Sequence, residues 1–247
     1  MARRLSRSWG LTLLLLAVLG LASCGMPPAP PASKVSATPS GASSPTPSSV
    51  SMPTPTGGFS PYERAALRVR NVGCGSVSSG SGFAISEHVF VTNRHVIGGA
   101  AILQVSTFDG HDISVTATGS VAVADLALVW TKESLPAWLP LASSDPSTGS
   151  RVTAVGYPLG GPLTTTRGKV LGYGADPVGW SSLPMLVNDA PIEHGSSGSP
   201  LINDRGQIVG VVYASDGDRF AVPVSVLRKA LDNPSGISSA SSCDGVL

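Results

Sequence analysis

Gly195-Ser196-Ser197-Gly198-Ser199-Pro200 decides the reading of this chain, together with Thr92-Asn93-Arg94-His95 about a hundred residues upstream and Asp125-Leu126-Ala127-Leu128 between the two. In the order His, Asp, Ser, these stretches supply the side chains that turn a weak hydroxyl into an acyl-transfer nucleophile. A serine hydroxyl hardly ionises at neutral pH, so an imidazole must take its proton and a buried carboxylate must hold that imidazole in one tautomer. The order discriminates between folds. The α/β-type hydrolases run Ser, Asp, His with the serine in G-x-S-x-G, and here Ser199 stands where that motif's last glycine belongs.

Working outward, short apolar or alternating runs recur between Gly, Pro, Ser and Asp turn signals. They fall at residues 82–85, 89–92, 102–106, 113–117, 125–130, 151–155, 165–170, 186–188, 201–203 and 208–213. Such spacing predicts an all-β sandwich or barrel, and composition does not separate the two. One helix is expected at the end, over about 223–232. Pro223 stands at a plausible first helical position, Val224, Val226, Leu227, Ala230 and Leu231 form an apolar face, and Asn233-Pro234 is the stop.

The first 23 residues read as an export signal, with Arg3, Arg4 and Arg7 before an apolar core at 11–21 that is too short for a confident membrane span. Leu21-Ala22-Ser23-Cys24 resembles a bacterial lipobox, which predicts cleavage before Cys24 and a lipid anchor to the membrane there; several acyl chains on one residue suffice for stable attachment. Residues 24–60 are rich in Pro, Ser and Thr and cannot bury enough apolar surface to fold, so they are expected to be a disordered tether. Its reach is roughly 30 Å as a coil and about 110 Å as extended polyproline. Cys74 and Cys243 then remain as a pair flanking the domain at 61–247, and in an exported protein a disulfide between them is expected. Chain entropy for so long a loop gives about 5 kcal/mol, against typical realised values of about 2 to 4.

The formal charge is +1, and removing Arg3, Arg4 and Arg7 with the signal leaves 13 basic against 15 acidic residues. No basic stripe interleaved with aromatics survives, which argues against nucleic acid as a partner. The other histidines, His88, His111 and His194, show no zinc spacing, so no metal and no cofactor are expected.

At these motifs the chain resembles the chymotrypsin-like serine proteases, within them the bacterial HtrA-like branch, over roughly residues 72–232. The resemblance rests on ordered matches: Ser81-Gly82-Phe83-Ala84-Ile85, Val91-Thr92-Asn93-Arg94-His95-Val96, Gly156-Tyr157-Pro158-Leu159-Gly160, Asn188-Asp189-Ala190, the Gly195 loop, and Phe220-Ala221-Val222-Pro223. It implies two six-stranded antiparallel β-barrels, at about 72–142 and 148–222, with a cleft between them that takes polypeptide substrates. His95 and Asp125 come from the first barrel and Ser197, third in G-x-S-G-x-P, from the second. The family motif likewise excludes Ser196 and Ser199 as nucleophile and assigns the oxyanion hole to the amides of Gly195 and Ser197. Asp109 and Asp112 compete for the carboxylate role but lie too near His95 for the family order.

The same resemblance walls the primary substrate pocket with Pro191, Ile192, Val212 and Phe220, which predicts cleavage after small or medium apolar residues. Asp218 is the rival that would instead attract Arg or Lys. Two departures stand out. Ser196 replaces the aspartate with which trypsin-like zymogens are switched on, so no proteolytic maturation is expected. No PDZ-like segment is expected after the helix. The substitutions at His194 and Ser196 also motivate an alternative, a protease-fold module that binds polypeptides without turnover because its oxyanion loop is misformed.

Overall fold

A computed structural model describes residues 58–215 and 218–240, with backbone alone at 214, 215 and 218. The export signal, Cys24, the tether up to residue 57 and Cys243 lie outside the described residues.

The chain enters through a capping box: Ser60 Oγ accepts from the Glu63 amide, and the Glu63 carboxylate accepts from the Ser60 amide at 2.8 Å, starting helix α1 (Pro61–Ala65). Seven strands follow: β1 (Ala66–Gly73), β2 (Val77–Ser86), β3 (Val89–Thr92), β4 (Ala100–Ser106), β5 (Asp112–Ile113), β6 (Val115–Val121) and β7 (Leu126–Thr131). The one-turn helix α2 (Arg94–Ile97) interrupts them between β3 and β4. Six more strands come next: β8 (Arg151–Gly156), β9 (Thr164–Gly174), β10 (Met185–Asn188), β11 (Pro200–Ile202), β12 (Ile208–Ser215) and β13 (Asp218–Pro223). Helix α3 (Val224–Asp232) and a short β14 (Ile237–Ser239) end the described chain.

All strand ladders are antiparallel, and they form two bodies. β8 to β13 close into a six-stranded barrel in the order β10-β13-β12-β11-β8-β9. The N-terminal body is an eight-stranded sheet, β14-β6-β7-β3-β2-β1-β4-β5, in which the two-residue β5 and the returning β14 are additions to six principal strands. The mostly-β fold with its C-terminal helix is therefore as read from the sequence. Strand β1 was not read there, although its alternation is clear: Leu67, Val69 and Asn71 are buried while Arg70 is exposed. Pro223 is the extended N-cap of α3 and the last residue of β13, one position before the helix, where its lack of an N–H is equally harmless.

Alternation divides the buried side chains into three clusters. One fills the N-terminal sheet (Leu67, Val69, Phe90, Ile97, Val129) and one the barrel (Val152, Leu186, Leu201, Val212). The third joins the bodies, with Phe83, Leu126 and Leu128 meeting Val155, Ile202 and Ile208. Each such side chain removed from water contributes about 1.5 to 3 kcal/mol, so the two bodies share a continuous apolar seam beneath the cleft.

Candidate active site

β3 and β7 run antiparallel in a register that sets Thr92 opposite Ala127. Two residues beyond Thr92 the chain turns into α2, and two residues before Ala127 it reaches Asp125, so the ladder itself brings the one-turn helix to the carboxylate. Asp125 is 2% exposed, and both of its oxygens serve His95. Oδ2 accepts from Nδ1–H at 2.5 Å and Oδ1 accepts from the His95 amide at 3.0 Å. An ionised carboxylate only accepts, which puts the imidazole proton on Nδ1 and leaves Nε2 as the free base. Two buried amides hold this arrangement. Asn93 Nδ2 donates to the Asp125 carbonyl at 2.7 Å, and Asn71 Nδ2 donates to the Val96 and Gly98 carbonyls at 3.0 and 2.9 Å, fixing the end of α2.

The Gly195 loop enters from the barrel as two consecutive turns. The Ser196 amide donates to the Glu193 carbonyl at 2.9 Å, and the Ser199 amide donates to the Ser196 carbonyl at 3.0 Å. The third residue of each turn is a glycine with positive φ, Gly195 at +87° and Gly198 at +88°, as a type II turn requires. A Cβ on Gly198 would lie 2.0 Å from the Ser81 carbonyl oxygen, so no other residue fits. This is the physical content of the three-residue glycine spacing.

The peptide between His194 and Gly195 has a determined direction. The His194 carbonyl accepts from the Leu159 amide at 2.6 Å, and no described peptide bond is cis. In a trans peptide the N–H points opposite to the C=O, so the Gly195 N–H is turned away from Leu159. Leu159 itself takes φ +56°, the only described non-glycine with positive φ, so a left-handed backbone at this turn accompanies its contact with the His194–Gly195 peptide.

Ser81 on β2 ties the bodies together at this point. Its Oγ donates to the Gly195 carbonyl (2.8 Å) and accepts from the Tyr157 amide (2.9 Å), and its own amide donates to the Ser197 carbonyl (2.8 Å). Thr92 Oγ1 donates to the Ser81 carbonyl at 2.7 Å. On the other side the Gly198 amide donates to the Val212 carbonyl and the Val212 amide to the Ser199 carbonyl, at 2.9 and 2.8 Å, so the loop extends the ladder of β11 with β12. Ser197, 5% exposed, is thereby held by backbone bonds from both bodies.

The residues proposed for the primary pocket are more dispersed. Pro191 is exposed and lines a cavity of about 160 Å³ with Glu193, Ser196, Ser199, Gly156 and Thr166. Ile192 packs on the barrel interior, where Val212 is fully buried, whereas Phe220 packs on the cluster that joins the two bodies. The side chain of Asp218 lies outside the described residues. Cys74 is disulfide-bonded, with Cys24 and Cys243 both outside the described residues. Of the competing aspartates, Asp109 pairs with His111 at 3.0 Å, away from His95. Among the described residues no cluster of His, Cys, Asp or Glu could hold a metal.

Ser81, Asn71, Asn93 and two aromatics were not assigned roles from sequence. Tyr213 lies 6.0 Å from the His95 ring, centroid to centroid, and Trp180 lies 5.7 Å from it. Burial, then the Asp176 and Asp125 carboxylates, hold the Tyr213 phenol above its ordinary pKa, so it stays protonated beside the imidazole.

The family model for a trypsin-like peptidase domain matches residues 80–211, more than half of the chain. The chain belongs to the trypsin-like peptidase family. The match begins beside Ser81 and ends one residue before Val212, so this trypsin-like domain includes His95, Asp125 and the Gly195 loop. The serine protease Do-like HtrA of Bacillus subtilis is 36% identical over 164 residues, covering 59% of this chain and 36% of that protein. A DegP-like protein of Hahella chejuensis, named as a periplasmic serine endoprotease, is 33% identical over 158 residues, covering 60% of this chain and 34% of its own length. The chain thus spans about a third of the length of these relatives. Among solved structures, the active form of the Rv3671c protease from M. tuberculosis superposes with a TM-score of 0.63 at 25% identity, covering 74% of this chain and 87% of that one.

Proposed function

We propose that this protein is an extracytoplasmic serine endopeptidase, anchored by lipid on Cys24, that hydrolyses peptide bonds through an acyl-enzyme formed on Ser197. The observation that carries the reading is the double engagement of His95 by the buried Asp125, because a carboxylate bonded to both the ring and the backbone amide fixes tautomer and ring position together.

The steps follow from that geometry. Ser197 Oγ attacks the carbonyl carbon while its proton passes to His95 Nε2. The resulting oxyanion is met by the amides of Gly195 and Ser197. The C–N bond breaks as His95 returns the proton to the leaving amine. Water then repeats the sequence: its proton goes to His95, its oxygen to the acyl carbon, and Ser197 leaves with the proton restored.

The DegP-like relative's periplasmic name supports an extracytoplasmic location, in line with the export signal and the Cys24 lipobox. A tether at 24–60 holds the domain at 61–247 off the membrane, and a Cys74–Cys243 bridge ties its C-terminal tail back to the first sheet. The expected pocket of Pro191, Ile192, Val212 and Phe220, of which Pro191 lines the cavity beside Ser196 and Ser199, is apolar in character. A buried Lys or Arg without a partner would cost several kcal/mol there, so small and medium apolar residues are preferred. Fluorophosphonate labelling tests the reading: folded protein should label and Ser197→Ala should not. Folded protein that resists the probe refutes it in favour of a binding module.

A further inference from the structure

Trp180 belongs to no motif, yet it stands against the catalytic-type histidine. It is carried by residues 175–184, which join β9 to β10. Asp176 organises this strap: its carboxylate accepts from the Val178 amide (3.0 Å) and the Ser181 amide (2.8 Å), and its carbonyl accepts from the Gly179 amide (3.2 Å). The strap then reaches the N-terminal sheet, where Ser181 Oγ donates to the Val123 carbonyl at 2.9 Å. Trp180 is thus held across the cleft by a carboxylate on one side and a hydrogen bond to the opposite body on the other.

The rings of His95, Trp180 and Tyr213 form a nearly equilateral triangle, with centroids 5.7, 5.8 and 6.0 Å apart. At those separations the rings touch, and no further side chain fits among them. The Arg94 guanidinium lies 5.9 Å from the indole. With Nδ1 committed to Asp125, indole and phenol both stand against the imidazole. β12 pairs with β11 only as far as Val211, with the loop bonds of Val212 beyond, so its edge past Val212 is open to an extended peptide among the described strands. A peptide laid along that edge, with its scissile carbonyl at Ser197, sends the residue next before the cleaved one over His95 and into the indole.

We propose that Trp180 is a specificity-determining residue, a wall that admits only small apolar residues, Gly, Ala or Pro, at the second position before the scissile bond. This rests on the endopeptidase reading. The groups facing the indole are His95 and Arg94 from α2 and Tyr213 from β12, with Asp125 behind the imidazole and Asp176 beneath the strap.

The test uses the full chain and peptides that differ only at that second position (Ala, Pro, Leu, Phe), cleaved by wild type, Trp180→Ala and Trp180→Phe. Removing the indole should raise kcat/KM for Leu and Phe relative to Ala by about tenfold or more, with the phenylalanine variant between. A second readout needs no turnover. In the Ser197→Ala background the Ala peptide should bind more tightly than the Leu and Phe peptides, and adding Trp180→Ala should level them. An active Trp180→Ala with the wild-type profile overturns the proposal, as does a binding order that Trp180→Ala leaves unchanged in the Ser197→Ala background. A folded but inactive Trp180→Ala also overturns it, since the indole would then be required for turnover rather than selection. A chain that shows this binding order while the wild type cleaves none of the peptides overturns the endopeptidase reading itself.

Discussion

Replacing Gly195 by alanine isolates the oxyanion peptide from the rest of the machinery. A Cβ there would lie 2.7 Å from the Leu159 nitrogen, 2.7 Å from the Tyr157 oxygen and 2.9 Å from the Gly160 nitrogen, all backbone atoms that cannot swing aside. The φ of +87° costs an alanine a further 1–2 kcal/mol or about that. For a domain of this size that strain alone lowers the melting temperature by about 2 to 8 °C. The turn can relieve both by rotating the His194–Gly195 peptide, which breaks the Leu159 bond and turns the Gly195 N–H out of the site. Loss of one oxyanion donor lowers kcat by about a hundredfold to a thousandfold, or about 2.7 to 4 kcal/mol of transition-state stabilisation. The assay is kcat and KM on a peptide ester and the matching amide, with circular dichroism to confirm the fold. KM should move little. A folded Gly195→Ala with kcat within about threefold of wild type would refute the assignment of that amide to the oxyanion.

The other expectations are shorter to state. Ser197→Ala and His95→Ala should each lower kcat by up to about a millionfold and by similar factors, and Asp125→Ala somewhat less, because the three groups act as a unit; near-normal turnover in any one shows a misassigned residue. Alkylation without reductant followed by mass spectrometry should leave Cys74 and Cys243 unmodified in a single linked peptide, and two alkylated thiols at these positions in native protein rule the bridge out. Cys24→Ala should release the protein from the membrane fraction or block its processing; unchanged fractionation and mobility would remove the anchor from the account. Tyr157→Phe should be neutral or stabilising, since the phenol is buried without a hydrogen-bond partner and burial pushes its pKa up to about 12. The folded chain keeps a proton that the unfolded chain releases near 10.0, so stability is complete below that pH and is lost as pH rises toward 12; the variant should lack this alkaline loss in chemical denaturation.

Much of this architecture is legible because it is local. The strands announce themselves by alternation, and the paired glycines by a spacing that two consecutive turns demand. The His, Asp and Ser segments are legible because each sits at the end of an apolar run that the fold must bury. What escaped reading depends on juxtaposition. Ser81 looks like any strand serine until β2 is laid against Gly195 and Tyr157, and Asn71 is a polar residue at an inward position whose reason is the end of α2, more than twenty residues away. Trp180 sits in a turn-rich stretch with no periodicity, and only the antiparallel pairing of β9 with β10 carries it to His95. Strand β1 is a different case, because its alternation is a period-two pattern present in the sequence and the capping box before it is a Ser-x-x-Glu spacing, Ser60 to Glu63, equally present.

The substitution at Ser196 gains a physical meaning from the turn around it. Where an aspartate precedes the nucleophile, the loop needs a cation from elsewhere to hold it. Here the turn closes on itself. The Glu193 amide donates to Ser196 Oγ at 3.4 Å, and the Ser196 amide donates back to the Glu193 carbonyl at 2.9 Å. The bond from the Leu159 amide to the His194 carbonyl then sets the peptide that matters, and Ser81 fixes the carbonyl of Gly195 one residue later. Each of these bonds is made by neutral groups of the described domain, which supports the expectation that the loop reaches this form without proteolytic maturation. The binding-module alternative needs the opposite, a loop that rests with the His194–Gly195 peptide reversed. Such a loop would forfeit the Leu159 bond, at a cost of at most about 0.5 to 1.5 kcal/mol because both residues reach solvent. That difference favours a site already aligned before substrate binds, and it is why labelling of Ser197 by a fluorophosphonate should proceed without any activating cleavage.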